Sequence, residues 1–173
     1  MNNIFIIMKS INEIINESSN YKIINLMKNA LKEEFNAWYG YIIVKEWLTG
    51  IDRKDIEKFY EDTTKDELED HAYWLMKRIN QLGGTIEDIS MSPNSWENAN
   101  HKYIAPIWSK DNIDIKKSLE DNITNEEGAI ETYEELIKMT ERIDPASNSK
   151  LKEILIDEQE HLQELKDFLN DIN

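Results

Sequence analysis

Near the C-terminus a glutamate stands where an apolar residue belongs. Leu151, Leu155, Glu158, Leu162, Leu165, Leu169 and Ile172 recur at alternating steps of four and three, the seam of a helix that packs against other helices. Glu158 interrupts that seam, and His161 follows one turn later on the same face. A carboxylate facing a core costs too much to bury alone, so the fold must supply charged partners or a metal.

The same substitution recurs upstream. A helix expected over about 21–48 has the seam Met27, Leu31, Glu34, Trp38, Tyr41, Lys45, Leu48. A second, over about 53–82, starts after Asp52 as N-cap and presents Ile56, Tyr60, Thr63, Glu67, His71, Trp74 and Arg78 before Gly83-Gly84 ends it. A third, over about 113–143, carries Leu119, Ile123, Glu126, Ile130, Tyr133, Ile137 and Thr140. The fourth, over about 145–171, opens on Pro145 and holds Glu158 and His161. With only five Gly and three Pro in 173 residues, long uninterrupted helices are favoured.

Two short connections join the first helix to the second and the third to the fourth. A long one, over about 85–112, joins the pairs. That pattern predicts an all-α fold, an antiparallel four-helix bundle with one long crossover. Trp96 and Trp108 are read as pinning the crossover to the helices rather than lining a binding loop, and His101 as structural or superficial. Residues 1–20 are expected to form an N-terminal arm or short helix.

The halves repeat. Leu31-x-x-Glu34-x-x-Ala37-x-x-x-Tyr41 matches Ile123-x-x-Glu126-x-x-Ala129-x-x-x-Tyr133, and acidic residues run into His71 and His161 at 37 and 35 positions beyond each glutamate. Two of only three histidines therefore occupy equivalent places. Glu34, Glu67, His71, Glu126, Glu158 and His161 converge on the middle of the bundle. Four carboxylates in one core require cations, and two divalent metals supply the charge. A carboxylate on each of two helices and a Glu–His pair on each of the others is the donor set of a carboxylate di-metal bundle. Oxygen-rich ligation with one imidazole per metal suits Fe or Mn, and Zn also fits. Tyr41 and Tyr133 either hydrogen-bond these ligands or are plain core residues.

The remaining composition narrows the function. Cysteine is absent, which excludes disulfides, thiolate metal sites and cysteine nucleophiles. A net charge of -15 and a pI near 4.6 argue against binding nucleic acid. No apolar run approaches the roughly 20 residues of a membrane span. Ile4–Met8 lacks the basic region of a signal peptide, so a cytoplasmic protein is expected.

These motifs, with Ile79-x-x-Leu82-Gly83-Gly84, resemble the ferritin-like superfamily over about residues 21–172, most nearly its bacterioferritin-type and Dps-like members. The resemblance implies a ferroxidase that oxidises Fe(II) with O2 or H2O2 and stores ferric mineral in a homo-oligomeric shell. It carries ligand roles to Glu34, Glu126, Glu158, His71 and His161. One position departs from the pattern. The family places a glutamate three before the second helix's histidine, which here is Leu68, whereas Glu67 stands four before it. Glu67 serves if the helix distorts locally; Asp70 is the alternative. Bacterioferritin's haem-ligating methionine is replaced by Glu69, so no haem is expected. Rubrerythrin's extra glutamate falls at Ala129, and the cysteines of rubrerythrin and of the thiol-bearing Dps-like group are missing. Twelve residues follow His161, too few for the fifth helix of 24-subunit shells, which favours 12 subunits or fewer. Two competing functions remain at this stage: a di-iron peroxidase or oxygenase without storage, and a redox-silent metal-binding bundle.

Overall fold

The computed structural model describes the backbone of residues 2–48, 53–87, 89 and 114–172, with side chains from residue 20 onward in those segments, Arg53 excepted. The chain is all-helical over these residues, as expected. α1 spans Asn2–Trp47, α2 Arg53–Lys65, α3 Tyr73–Gln81, α4 Ile115–Thr140 and α5 Pro145–Asp171, and a π-helical stretch, Asp66–Ala72, joins α2 to α3. None of these helices is long and apolar enough to cross a membrane.

α1 begins at Asn2, so the arm or short helix expected over residues 1–20 is instead an upstream continuation of the first bundle helix. Asp52 and the crossover residues Trp96, His101 and Trp108 lie outside the described residues. α4 is capped by Asp114, whose side chain accepts from the Lys117 amide. α5 is capped by Asp144, which accepts from the Ser147 amide, with Pro145 in the first turn. α3 ends in a Schellman closure: the Gly83 amide donates to Asn80 O and the Gly84 amide to Ile79 O. Gly83 adopts φ +86° there. At Gly84 a Cβ would stand 2.7 Å from Ile24 Cγ2, so that position admits no side chain.

The core has two apolar layers. In one, Ile23, Met27 and Leu31 of α1 meet Leu75 and Ile79 of α3, Tyr133 and Leu136 of α4, and Leu151 and Ile154 of α5. In the other, Tyr41, Val44 and Leu48 meet Ile56, Phe59 and Tyr60 of α2, Leu119 of α4 and Leu165 of α5. α3 therefore ends at one end of the bundle and α4 starts at the other. The two ends joined by the long connection thus lie at opposite ends of the bundle, as expected for a single crossover.

The π stretch corrects one part of the expected seam. Beyond His71 the buried residues are Ala72, Leu75 and Ile79, whereas Trp74 and Arg78 are only half-buried. An i→i+5 turn takes up one residue more than an α-turn. That extra residue rotates everything downstream by about one α-helical step, near 100°. Arg78, displaced from the seam, forms a two-pronged pair with Asp144 at 2.7 Å and donates to Ser147 Oγ at 2.6 Å. The side chain thus ties the second rod to the α4–α5 turn. In α1, Trp38 and Lys45 are likewise half-buried, and Phe35 and Val44 fill the core.

Candidate metal centre

Between the apolar layers each rod turns one carboxylate inward: Glu34 from α1, Glu67 from the π stretch, Glu126 from α4 and Glu158 from α5. All four are at most 2% exposed, and His71 and His161 are buried beside them. The six residues singled out in the sequence thus meet in one place. They form two quartets, Glu34–Glu67–His71–Glu158 and Glu67–Glu126–Glu158–His161, each with one ligand atom per residue within 4.8 Å of the others. Glu67 and Glu158 belong to both.

His71 Nδ1 lies 3.1 Å from Glu158 Oε1, 3.3 Å from Glu34 Oε2 and 3.5 Å from Glu67 Oε2. His161 Nδ1 lies 3.3 Å from Glu67 Oε1 and 3.8 Å from Glu158 Oε2. The π stretch is what brings Glu67 to this position. Four residues before His71 and one register out of the Glu-x-x-His pattern, it reaches the centre because the wider turn absorbs the added residue. Asp70, the alternative, faces outward and pairs with Lys150 at 2.7 Å.

The two tyrosines hydrogen-bond the carboxylates, and they do so crosswise. Tyr41 on α1 donates to Glu126 on α4, and Tyr133 on α4 donates to Glu34 on α1. Each tyrosine reaches the glutamate of the other repeat because α1 and α4 pack side by side in opposite directions.

Two aspartates complete the arrangement, and sequence reasoning missed both. His71 Nε2 lies 3.2 Å from Asp157, and His161 Nε2 lies 3.7 Å from Asp66. Each aspartate directly precedes the shared glutamate of the opposite rod. The signal was present as a repeated Asp-Glu dipeptide, Asp66-Glu67 and Asp157-Glu158. A carboxylate on the far nitrogen holds an imidazole ring in place and makes it a better donor to a metal. Asp157→Asn is therefore expected to weaken divalent-cation binding at the His71 position by about 10- to 100-fold. Asp66→Asn, at longer range and on a half-exposed residue, should cost less. Calorimetric titration of each variant with Zn2+ checks the order.

The protonation pattern fits a cation site. Burial, reinforced by the charges of Glu158 and Glu67, pushes Glu34 and Glu126 well above the usual carboxylate range. Burial opposes ionisation of Glu67 and Glu158 too, and for Glu158 the charge of Glu67 adds to that opposition. Close approach of Glu34 and the two histidines at Glu67, and of the two histidines at Glu158, nonetheless holds both below the usual range. For the imidazoles, burial works against the charged form, but the neighbouring carboxylates prevail and raise His71 and His161 far above an ordinary histidine. Two imidazolium ions thus offset two carboxylates, and two carboxyls stay neutral. Glu67 Oε1, Glu158 Oε1 and His161 Nδ1 are buried and make no hydrogen bond despite their proximity. Buried donors and acceptors without partners call for an occupant. The oxygen-rich set with one imidazole on each side fits two divalent ions of the Fe, Mn or Zn kind.

The sequence profile of the ferritin-like domain matches residues 24–173. The chain is similar to the dodecameric thioferritin, a bacterioferritin-related protein, of Bacteroides fragilis, at 31% identity and TM-score 0.76 over 88% of this chain and 87% of that one. The bacterioferritin of Desulfovibrio desulfuricans, with its diiron site, superposes with TM-score 0.73 at 20% identity over 91% and 83% of the two chains. An archaeal Dps homologue from Halobacterium salinarum gives 0.77 at 19% identity over 88% and 81%. No curated protein matches the sequence.

Proposed function

The chain belongs to the ferritin-like family, and from that premise we propose that it is a ferroxidase: it oxidises Fe(II) at the buried centre and stores the ferric product in an oligomeric shell. The observation that carries this reading is the pair of quartets sharing Glu67 and Glu158. A shared carboxylate holds two metals close, about 3.5–4 Å apart in two-metal sites.

In this reading Glu34 and His71 hold one Fe(II), Glu126 and His161 hold the other, and Glu67 and Glu158 bridge them. Each Fe(II) gives up one electron. The pair reduces O2 with two protons to H2O2, or H2O2 with two protons to two waters. The protein's own contribution is positional. The apolar layers exclude bulk water from the centre. Tyr41 and Tyr133 fix the outer glutamates, and Asp157 and Asp66 fix the rings.

A shell of twelve subunits is the proposed assembly, supported by the 31% identity to a protein described as a dodecameric thioferritin. The absence of cysteine separates this chain from a thiol-based chemistry. Cytoplasmic iron storage is the proposed setting.

The test is anaerobic loading with Fe(II), followed by O2 or H2O2, with ferric absorbance and particle mass followed together. Oxidation of two irons per chain that continues to hundreds per large particle is the expected result. Oxidation that stops at two irons on a small oligomer points to a di-iron peroxidase or oxygenase. No oxidation at all leaves a redox-silent metal-binding bundle.

A further inference from the structure

α1 outruns its partners. It has 46 residues, against 26 in α4 and 27 in α5. Glu34 is level with Tyr133 of α4, which donates a hydrogen bond to it, and with Glu158 of α5 in the metal centre. Counted from there, Thr140 and Pro145, where α4 ends and α5 begins, fall level with residues 27 and 21 of α1. The second rod stops at the same level, since a Cβ on Gly84 would meet Ile24. No other described helix therefore runs alongside residues 2–20, about 28 Å of α1.

The apolar stripe changes sides at this level. Within the bundle Ile23, Met27, Ala30 and Leu31 are buried. Carried upstream, that register holds Lys9, Glu13, Asn16 and Asn20. Ile4, Ile7, Ile11 and Ile14 fall in another register, with Ser18 and Tyr21, about 120–180° round the helix from Met27. Tyr21, where this stripe meets the described side chains, is 67% exposed. The stripe thus lies on the side of α1 away from its own bundle.

Ile4, Ile7, Ile11, Ile14, Ser18 and Tyr21 are spaced alternately by three and four, the seam of a coiled coil. Isoleucine at both seam positions favours three or four strands over two. In this register Glu17 and Lys22 flank the seam on opposite sides, so that parallel strands pair a carboxylate of one copy with an ammonium of the next. Lys22 is exposed. A membrane surface fits less well. Helices that lie on one carry a basic polar face, whereas Lys9, Glu13 and Glu17 are the charges of residues 2–20, in a chain of net charge -15.

We propose that the projecting part of α1 joins the same segment of neighbouring copies in a parallel coiled coil of more than two strands. A lone helix of this length is marginal in water. A seam this short needs strands already held near one another, which the oligomer of the ferroxidase reading supplies.

The chain has no cysteine, so a single introduced thiol reports the contact. In the full-length protein, Ser18→Cys should form a disulfide-linked pair under diamide, because facing strands bring seam Cα atoms within about 7 Å. Asn16→Cys, in the opposite register, should cross-link at least about tenfold more slowly. Adding Ile7→Asp and Ile11→Asp to Ser18→Cys should abolish the cross-link, while two equivalents of Zn2+ still bind at the inner centre. Equal cross-linking of both single variants, a cross-link that survives Ile7→Asp and Ile11→Asp, or none at all overturns the proposal. No cross-link on a particle of large mass overturns it while leaving the storage shell standing. Binding to phosphatidylserine vesicles that Ile7→Asp and Ile11→Asp abolish, with no cross-link in Ser18→Cys, assigns the stripe to a membrane instead.

Discussion

Glu158→Ala is expected to abolish cation binding at both inner positions, whereas Glu34→Ala should abolish it at one. The reason is geometric: Glu158 is a member of both quartets and Glu34 of only one. With a shared ligand gone, neither position keeps its four donors. Each position is left with two carboxylates and one imidazole, and the pair shares a single bridge, Glu67. Replacing even an outer partner of a metal ligand costs about 10- to 100-fold in affinity or activity, so loss of a bridge should exceed about 100-fold in Fe(II) oxidation. Zn2+ titration reads the difference as zero, one and two inner equivalents for Glu158→Ala, Glu34→Ala and wild type. Glu126→Ala should mirror Glu34→Ala at the other position. Glu158→Gln, which keeps the volume, separates loss of the ligand from loss of packing; circular dichroism should show it folded. If Glu158→Ala retained one full equivalent, the shared-ligand reading of the centre would be wrong.

The second large effect is release of protons on metal loading. Metal ligands must be deprotonated. His71 and His161 are held protonated by surrounding carboxylates, and burial holds Glu34 and Glu126 neutral. Two divalent ions should therefore displace about four protons per chain at neutral pH. Zn2+ titration in two buffers of different ionisation enthalpy measures that number, and release of one proton or fewer would contradict the arrangement.

The same four groups fix how stability depends on pH. Each binds its proton more tightly folded than unfolded, where carboxyls titrate near 4.5 and histidines near 6.5. Their stabilising contribution is complete below the unfolded values and is lost as pH rises toward the folded ones. Between pH 4.5 and 6.5 the two glutamates act, and above 6.5 the histidines join them. The metal-free protein should thus melt at lower temperature as pH rises through this range. With saturating Zn2+ the trend should reverse, because fewer protons compete for the ligands. Thermal melts at a series of pH values, with and without Zn2+, give the two slopes.

Much of this was legible in the chain itself. A scarcity of breakers, periodic seams and two short connections against one long one determined the bundle and its topology. Those signals are local or depend only on chain length. The six inner residues were legible too, because a charged residue at a seam position has no cheap alternative to a shared site, and the internal repeat put each of them in register twice.

What the sequence left open lies where neighbours on different rods decide. Between Glu67 and Asp70, periodicity does not choose. The π turn does, and with it the exchange of Trp74 and Arg78 for Leu75 and Ile79 in the core. A π turn has no strong local signature, because its cost is offset only by what the displaced side chains then reach. The crosswise tyrosine bonds and the Asp157 and Asp66 contacts to the opposite rod's histidine are likewise facts of helix packing. The sequence by itself determined which residues had to be buried together. Only the tertiary structure decided which atoms of each face which, because that depends on the rotation and offset of the rods, and no single helix encodes those.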